Sequence, residues 1–172
     1  MNRTRPAIVA VASLGVAVPL QSAMASSPGH RPAPSATHPS VPRLAQQWAH
    51  AWNTGSARRM ASLFTKDGVY VDHGFQVTYR GPAGAGRWVD DTMDNFTTLR
   101  ATTKRAFRDG DDIGVVWTFS GTFNGTGAFP EAAGKSFSVP ATSVFRTKHG
   151  KIASVEDFHN PADLMAQVGM AR

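Results

Sequence analysis

Cysteine is absent from the 172-residue chain. That excludes a disulfide scaffold, thiolate zinc sites, iron–sulfur clusters, a cysteine nucleophile and a lipidated N-terminal cysteine, so any core must hold without staples. A membrane-spanning run is missing too: the apolar stretch Ala7 to Leu20 has 14 residues and contains Pro19, against about 20 apolar residues for a spanning helix. Charged residues make up only 17% of the chain, and the basic ones (Arg58-Arg59, Lys104-Arg105, Lys148, Lys151) form neither a run nor a stripe. A nucleic-acid footprint is therefore not indicated. No internal repeat is found.

What is present begins with a targeting pattern. Arg3 and Arg5 form a positive segment, Ala7 to Leu20 an apolar one, and Ala23-Met24-Ala25 a small-x-small cleavage signal. Residues 1–25 are thus expected to be a signal peptide of a secreted or periplasmic protein with no stable membrane anchor. Without Arg3 and Arg5 the 18 basic residues exceed the 12 acidic ones by four, a weak basic balance. Residues 26–40 hold Pro28, Pro32, Pro34 and Pro39 among Ser, Ala, His and Gly, with almost nothing to bury, and are expected to be a linker. His30 and His38 in that stretch are poor metal ligands. The folded unit is expected over residues 41–172, and 41% apolar residues suffice for its core.

Within that unit the apolar period changes in an informative order. Leu44, Ala45, Trp48, Ala51 and Trp52 recur at helical spacing, with Ser40 as the expected cap, Pro42 in the first turn and Gly55 as the stop. Ser56 is expected to cap a second helix carrying Met60, Leu63 and Phe64, and Asp67-Gly68 to turn the chain into a strand from Val69 to Asp72. A short strand at Gln76 to Tyr79 precedes a third helix opened by Gly81-Pro82. Strands follow near Thr97 to Arg108, Ile113 to Phe123, Lys135 to Thr147 and Ile152 to Phe158, joined by short polar or Gly-rich turns. Asn160-Pro161 starts a last helix. The pattern predicts an α+β protein: a cone-shaped, curved antiparallel sheet with three N-terminal helices and a short C-terminal helix.

Strand periodicity also sorts the chemistry. Tyr70 shares a face with Asp72, and Asp157 shares one with Val155 and His159. Each carboxylate has an apolar or aromatic neighbour on its own face, and an apolar cavity disfavours the charged form, raising the pKa toward values useful to a general acid or base. Asp72 and Asp157 are expected to point into one pocket. Asp72 could instead end its strand and cap the following turn, and His159 could be a shuttle or a satisfied structural imidazole. His50 and His73 are weaker candidates. Trp48, Trp52, Trp88, Trp117, Phe119 and Phe145 exceed what a small sheet needs to pack, consistent with a hydrophobic cavity as well as a core.

Other motifs carry less. Asp90-Asp91-Thr92-Met93-Asp94 copies a prenyl-diphosphate magnesium pattern in a domain too small for that chemistry's helical cage. Gly81, Gly84 and Gly86 lack the context of a dinucleotide fingerprint. No metal and no cofactor is expected.

The segments WAHAWNTG (48–55), LFTKDGVYVD (63–72), Tyr79-Arg80-Gly81 and GKIASVEDFHNPADLMAQVG (150–169) resemble the nuclear-transport-factor-2-like superfamily, and most closely its SnoaL-like polyketide cyclase branch, over nearly all of residues 41–172. The resemblance implies the cone fold, a pocket and a homodimer. By it, Asp72 takes the place of the proton-abstracting aspartate of ketosteroid isomerases. Trp48 and Ser143 stand where those isomerases carry their oxyanion-binding tyrosine and protonated aspartate, which argues against steroid isomerisation. Asp157 matches the last-strand acid/base aspartate of the cyclases. The arginine between two aspartates of limonene-type epoxide hydrolases has no counterpart in Ile113 to Phe123.

Two functions are expected in parallel. One is cofactor-independent acid/base catalysis, as cyclisation, isomerisation or dehydration, on a small hydrophobic carbonyl compound. It would use Asp157, Asp72 and His159 in a pocket formed by Trp48, Trp52, Tyr70, Trp88, Trp117, Phe119, Ser143 and Phe145. The other is non-catalytic binding of a hydrophobic ligand, or assembly, on the same fold.

Overall fold

The computed structural model describes residues 40–170; the expected signal peptide and nearly all of the linker lie outside the described residues. Proline decides where the first helix begins. The residue before a proline is pushed out of the helical region, so Val41 cannot be helical and Ser40, the expected cap, stands too far upstream. Helix α1 runs from Arg43 to Asn53 with the extended Pro42 at its cap and no side-chain capping bond. Ser56 does cap the next helix, α2 (Ala57–Leu63), its Oγ accepting from the Arg59 N–H.

Strand β1 spans Phe64–Asp72, five residues earlier than the sequence pattern suggests. Asp67-Gly68, expected as a turn, lies inside this strand where the register to its partner jumps from Phe64 to Val69, as at a bulge. Strand β2 (Val77–Arg80) leads to α3 (Gly81–Met93), whose entry needs Gly81 at φ +68° and holds Pro82 in its first turn. The remaining strands, β3 (Phe96–Asp109), β4 (Asp112–Phe123), β5 (Ser136–Lys148) and β6 (Lys151–His159), form an antiparallel meander. Helix α4 (Pro161–Gln167) closes the described fold, with the Asn160 side chain accepting from the Ala162 and Asp163 N–H groups.

Among the described residues the architecture is α+β: a six-stranded curved sheet in the order β2-β1-β6-β5-β4-β3, with four α-helices. One pairing departs from the expected all-antiparallel sheet, because β1 and β6 run parallel. Antiparallel neighbours can be dictated by a tight turn between them, but β1 and β6 are separated by the whole meander, so no local signal sets their direction. Alternation then decides what is inside. β5 is exposed and buried in strict turn over all 13 residues, which sends Phe137, Val139, Ala141, Ser143, Phe145 and Thr147 inward.

The helices cover this inner face, and Asn53 at the end of α1 fixes one of them to the sheet. Its Nδ2 donates to the Ala101 carbonyl at 3.2 Å and its Oδ1 accepts from the Ala101 N–H at 2.7 Å, so one side chain satisfies both backbone groups of a β3 residue. Asn53→Ala strands that pair. Urea denaturation should show a loss of roughly 1–3 kcal/mol, and an unchanged midpoint would mean that water replaces the amide without cost.

Candidate active site

Register brings the acidic side chains together. Asp72 on β1 pairs with Asp157 on β6, which pairs with Ser143 on β5, so the three form one inward-facing row across three strands. All three are buried, with Asp72 5% and Asp157 3% exposed. One row further along β6 lies His159, whose side chain is 1% exposed.

Asp157 is the centre of a hydrogen-bond network with a fixed polarity. Tyr70 donates to its Oδ2 at 2.6 Å and Ser143 to its Oδ1 at 2.6 Å. Behind them, Trp48 and Trp52, one turn apart on α1, donate to the Tyr70 oxygen at 3.2 and 3.1 Å, and Trp117 donates to the Ser143 oxygen at 2.9 Å. An indole N–H can only donate. The tyrosine oxygen must therefore accept twice and has nowhere to send its own hydrogen except Asp157, and the serine is biased the same way.

These bonds favour the ionised carboxylate, while its surroundings oppose it. Burial foremost, and then the nearby negative charge of Asp72, raise the Asp157 pKa from 3.8 to about 7, against the lowering effects of Ser143, Tyr70 and His159. Burial, followed by the charge of Asp157, also lifts Tyr70 well above its ordinary value, which keeps the phenol protonated and donating. The result is a carboxyl group that exchanges its proton near neutrality.

Asp72 fulfils both of its expected roles. Its Oδ1 accepts from the Phe75 N–H at 2.8 Å, capping the β1–β2 turn, and lies 3.2 Å from His159 Nε2. The imidazole meets Asp72 through Nε2, leaving Nδ1 as its other polar atom. That Nδ1 is buried and has no partner among the described residues. Gly74 permits the arrangement, since a Cβ there would collide with the imidazole ring.

The carboxylates and the imidazole line a chamber of about 20 Å³ together with Trp52, Phe75, Trp88, Thr92, Leu99, Trp117 and Phe119. Of the aromatic residues expected in the pocket, Trp52, Trp88, Trp117 and Phe119 reach it. Trp48, Tyr70 and Ser143 stand one layer behind, supporting Asp157, and Phe145 is fully buried core against Trp48. Phe75, Thr92 and Leu99 were not singled out by the sequence reading; an apolar residue in the short turn His73–Gln76 is the signal that marks Phe75. His50 is exposed on α1, and His73 pairs with Glu156 on the outer side of the sheet. Among the described residues, no group of three or more His, Asp and Glu is placed to hold a metal ion, and no helix is long and apolar enough to cross a membrane.

The family model for the SnoaL-like domain matches residues 45–155. No curated protein is significantly similar in sequence. Among solved structures, a hypothetical protein from Catenulispora acidiphila with a ketosteroid isomerase-like fold, in complex with trimethylamine, is 27% identical, with 76% of this chain and 95% of that one covered at a TM-score of 0.68. Candidate polyketide cyclases share the fold: one from Streptomyces antibioticus at 19% identity (73% and 96% covered, TM-score 0.64) and one from Xanthomonas campestris at 22% (73% and 93%, TM-score 0.62).

Two consequences can be measured. Because the folded-state pKa of Asp157 is raised, the fold bears no penalty from this group below about pH 4 and the full penalty once pH passes about 7. Stability should fall by roughly 4 kcal/mol across that window through Asp157 alone, and Asp157→Asn should remove that fall; a wild-type-minus-Asn difference that stays constant with pH would contradict the shift. Gly74→Ala should push the His159 ring off Asp72, visible as displaced imidazole ring resonances by NMR, whereas unmoved resonances would show that the ring has room to give.

Proposed function

The chain belongs to the SnoaL-like domain family, and from that premise we propose that its chamber performs cofactor-independent acid/base chemistry on a small hydrophobic carbonyl compound. The observation that carries this reading is Asp157: buried, hydrogen-bonded by two hydroxyls, and poised to give or take a proton near neutral pH. A base of this kind removes the proton from the carbon beside a carbonyl, and the negative charge that develops on oxygen needs a donor close by. Asp157 serves as the principal acid/base. Asp157, once protonated, returns that proton elsewhere on the molecule, and His159, held by Asp72, is a further polar group on the chamber. Returned to another carbon, the proton completes an isomerisation; given to a departing hydroxyl, a dehydration; given to the oxygen of a second carbonyl that the new carbanion has attacked, a cyclisation.

Export is part of the proposal, resting on the segment Arg3 to Ala25, and places the site in a secreted or periplasmic protein. So is a homodimer, for which Phe107, Val144 and Phe158, exposed on the sheet face opposite the chamber, offer apolar area to cover.

A second reading, binding without turnover, draws on a different observation. Five aromatic rings and two carboxylates line the chamber with no lysine or arginine among the lining residues, a combination that attracts a methylated ammonium ion, for which the half-buried Phe75 ring must move aside to make room. The Catenulispora protein, 27% identical, binds trimethylamine.

Exchange of deuterium from solvent into the α-carbon positions of 2-tetralone, followed by proton NMR, separates the two. Catalysis should be lost by a factor of about 100 or more in Asp157→Asn, with 2-tetralone affinity kept within a few fold and a wild-type rate that titrates near pH 7. A wild-type protein inert toward the ketone that binds trimethylammonium in calorimetry would replace the first reading by the second.

A further inference from the structure

Three of the four tryptophans donate their indole hydrogen into the Asp157 network; the fourth, Trp88, does not. Trp88 is 8% exposed, and its Nε1 is buried with no partner among the described residues. His159 Nδ1 is in the same condition. Both residues line the inner chamber. Buried polar atoms are nearly always satisfied in native folds, so two unpaired nitrogens on residues that line one small cavity point to a polar group as its occupant. A volume of about 20 Å³ is room for one oxygen-sized group.

A second cavity adjoins the first. It has about 240 Å³, is walled by Val77, Phe96, Ala128 and Phe129 with Asp91 and Asn95, and shares Phe75, Trp88 and Thr92 with the inner chamber. Phe75 stands at the partition. Its ring centroid lies 4.7 Å from that of His159 and 6.2 Å from that of Trp88, so it sits beside both of the residues whose nitrogens are unpaired. It is carried by a four-residue turn with Gln76 at φ +58°, and is only half-buried.

We propose that Phe75 is a plug occupying the ligand's place, and that the ligand displacing it is an apolar compound of one or two rings bearing a hydroxyl or enol oxygen. The ring body fills the outer cavity between Trp88 and Phe96. The oxygen enters the inner chamber and accepts from Trp88 Nε1, beside His159. This deepens the reading above, since it rests on the chamber being a ligand site. Trp88 becomes the donor to the substrate oxygen and Phe75 the residue that sets ligand size.

The test is binding, not turnover. 2-Naphthol, a stable enol of suitable size, and naphthalene, the same body without the oxygen, are titrated into the ¹⁵N-labelled protein, with the four indole N–H resonances assigned by triple-resonance spectra. 2-Naphthol should bind about three- to tenfold more tightly than naphthalene, as one neutral hydrogen bond allows, and should shift the Trp88 resonance most. Trp88→Phe should erase the preference, the two affinities measured in that variant falling within about twofold of each other, and Phe75→Ala should tighten both ligands. Equal affinities with an unmoved Trp88 resonance overturn the assignment, and that comparison needs no variant. Phe75→Ala with unchanged affinities overturns the plug. If these binding results hold while 2-tetralone shows no exchange, the ligand class stands and the proposed reaction falls.

Discussion

Burying a carboxyl group without letting it become inert is the constraint on which this molecule turns. In an apolar interior Asp157 would hold its proton far into the basic range, and in water it would lose it near pH 4. Here two hydroxyls pull it toward ionisation while burial and the charge of Asp72 push the other way, leaving it near neutrality. The hydroxyls can do this only because three indoles occupy their acceptor positions from behind. The tryptophans are thus core and machinery together: they fill the cone between α1 and the sheet, and their N–H groups set the direction of each hydrogen bond that ends on Asp157.

That arrangement explains the division of labour around the chamber. The layer against the sheet, made of Trp48, Tyr70, Ser143 and Phe145, does not line the cavity and sets electrostatics and packing. The layer facing the cavity supplies apolar walls and three titratable groups, Asp157, Asp72 and His159, and the bond between the last two also ties in the β1–β2 turn through the Phe75 N–H. A single carboxylate oxygen therefore links the imidazole to the segment carrying Phe75.

Much of this was legible before any coordinates. Strand alternation already put Tyr70 with Asp72 and Asp157 with His159, and the burial of all four side chains follows from that pattern. Helix spacing put Trp48 and Trp52 on one face of α1. The elements themselves appear in the expected order, with differences where proline or a bulge intervenes: Ser40 loses its capping role to the stiffness before Pro42, and Asp67-Gly68 bends a strand instead of starting one. Which aromatics would touch the cavity was not legible, because periodicity gives a residue's face but not its depth behind a neighbour on that face.

By itself, then, the order of amino acids determined which side chains turn inward, since that depends only on the two-residue and 3.6-residue periods of the backbone. It also determined the family, through short patterns kept in order along the chain. Tertiary structure alone decided that β1 and β6 lie side by side and parallel, bringing Asp72 to Asp157 across more than eighty residues of chain. It alone decided that Phe75 would stand between Trp88 and His159. Contacts of that kind come from the closure of the whole sheet around its core, and no local preference of the residues involved encodes them.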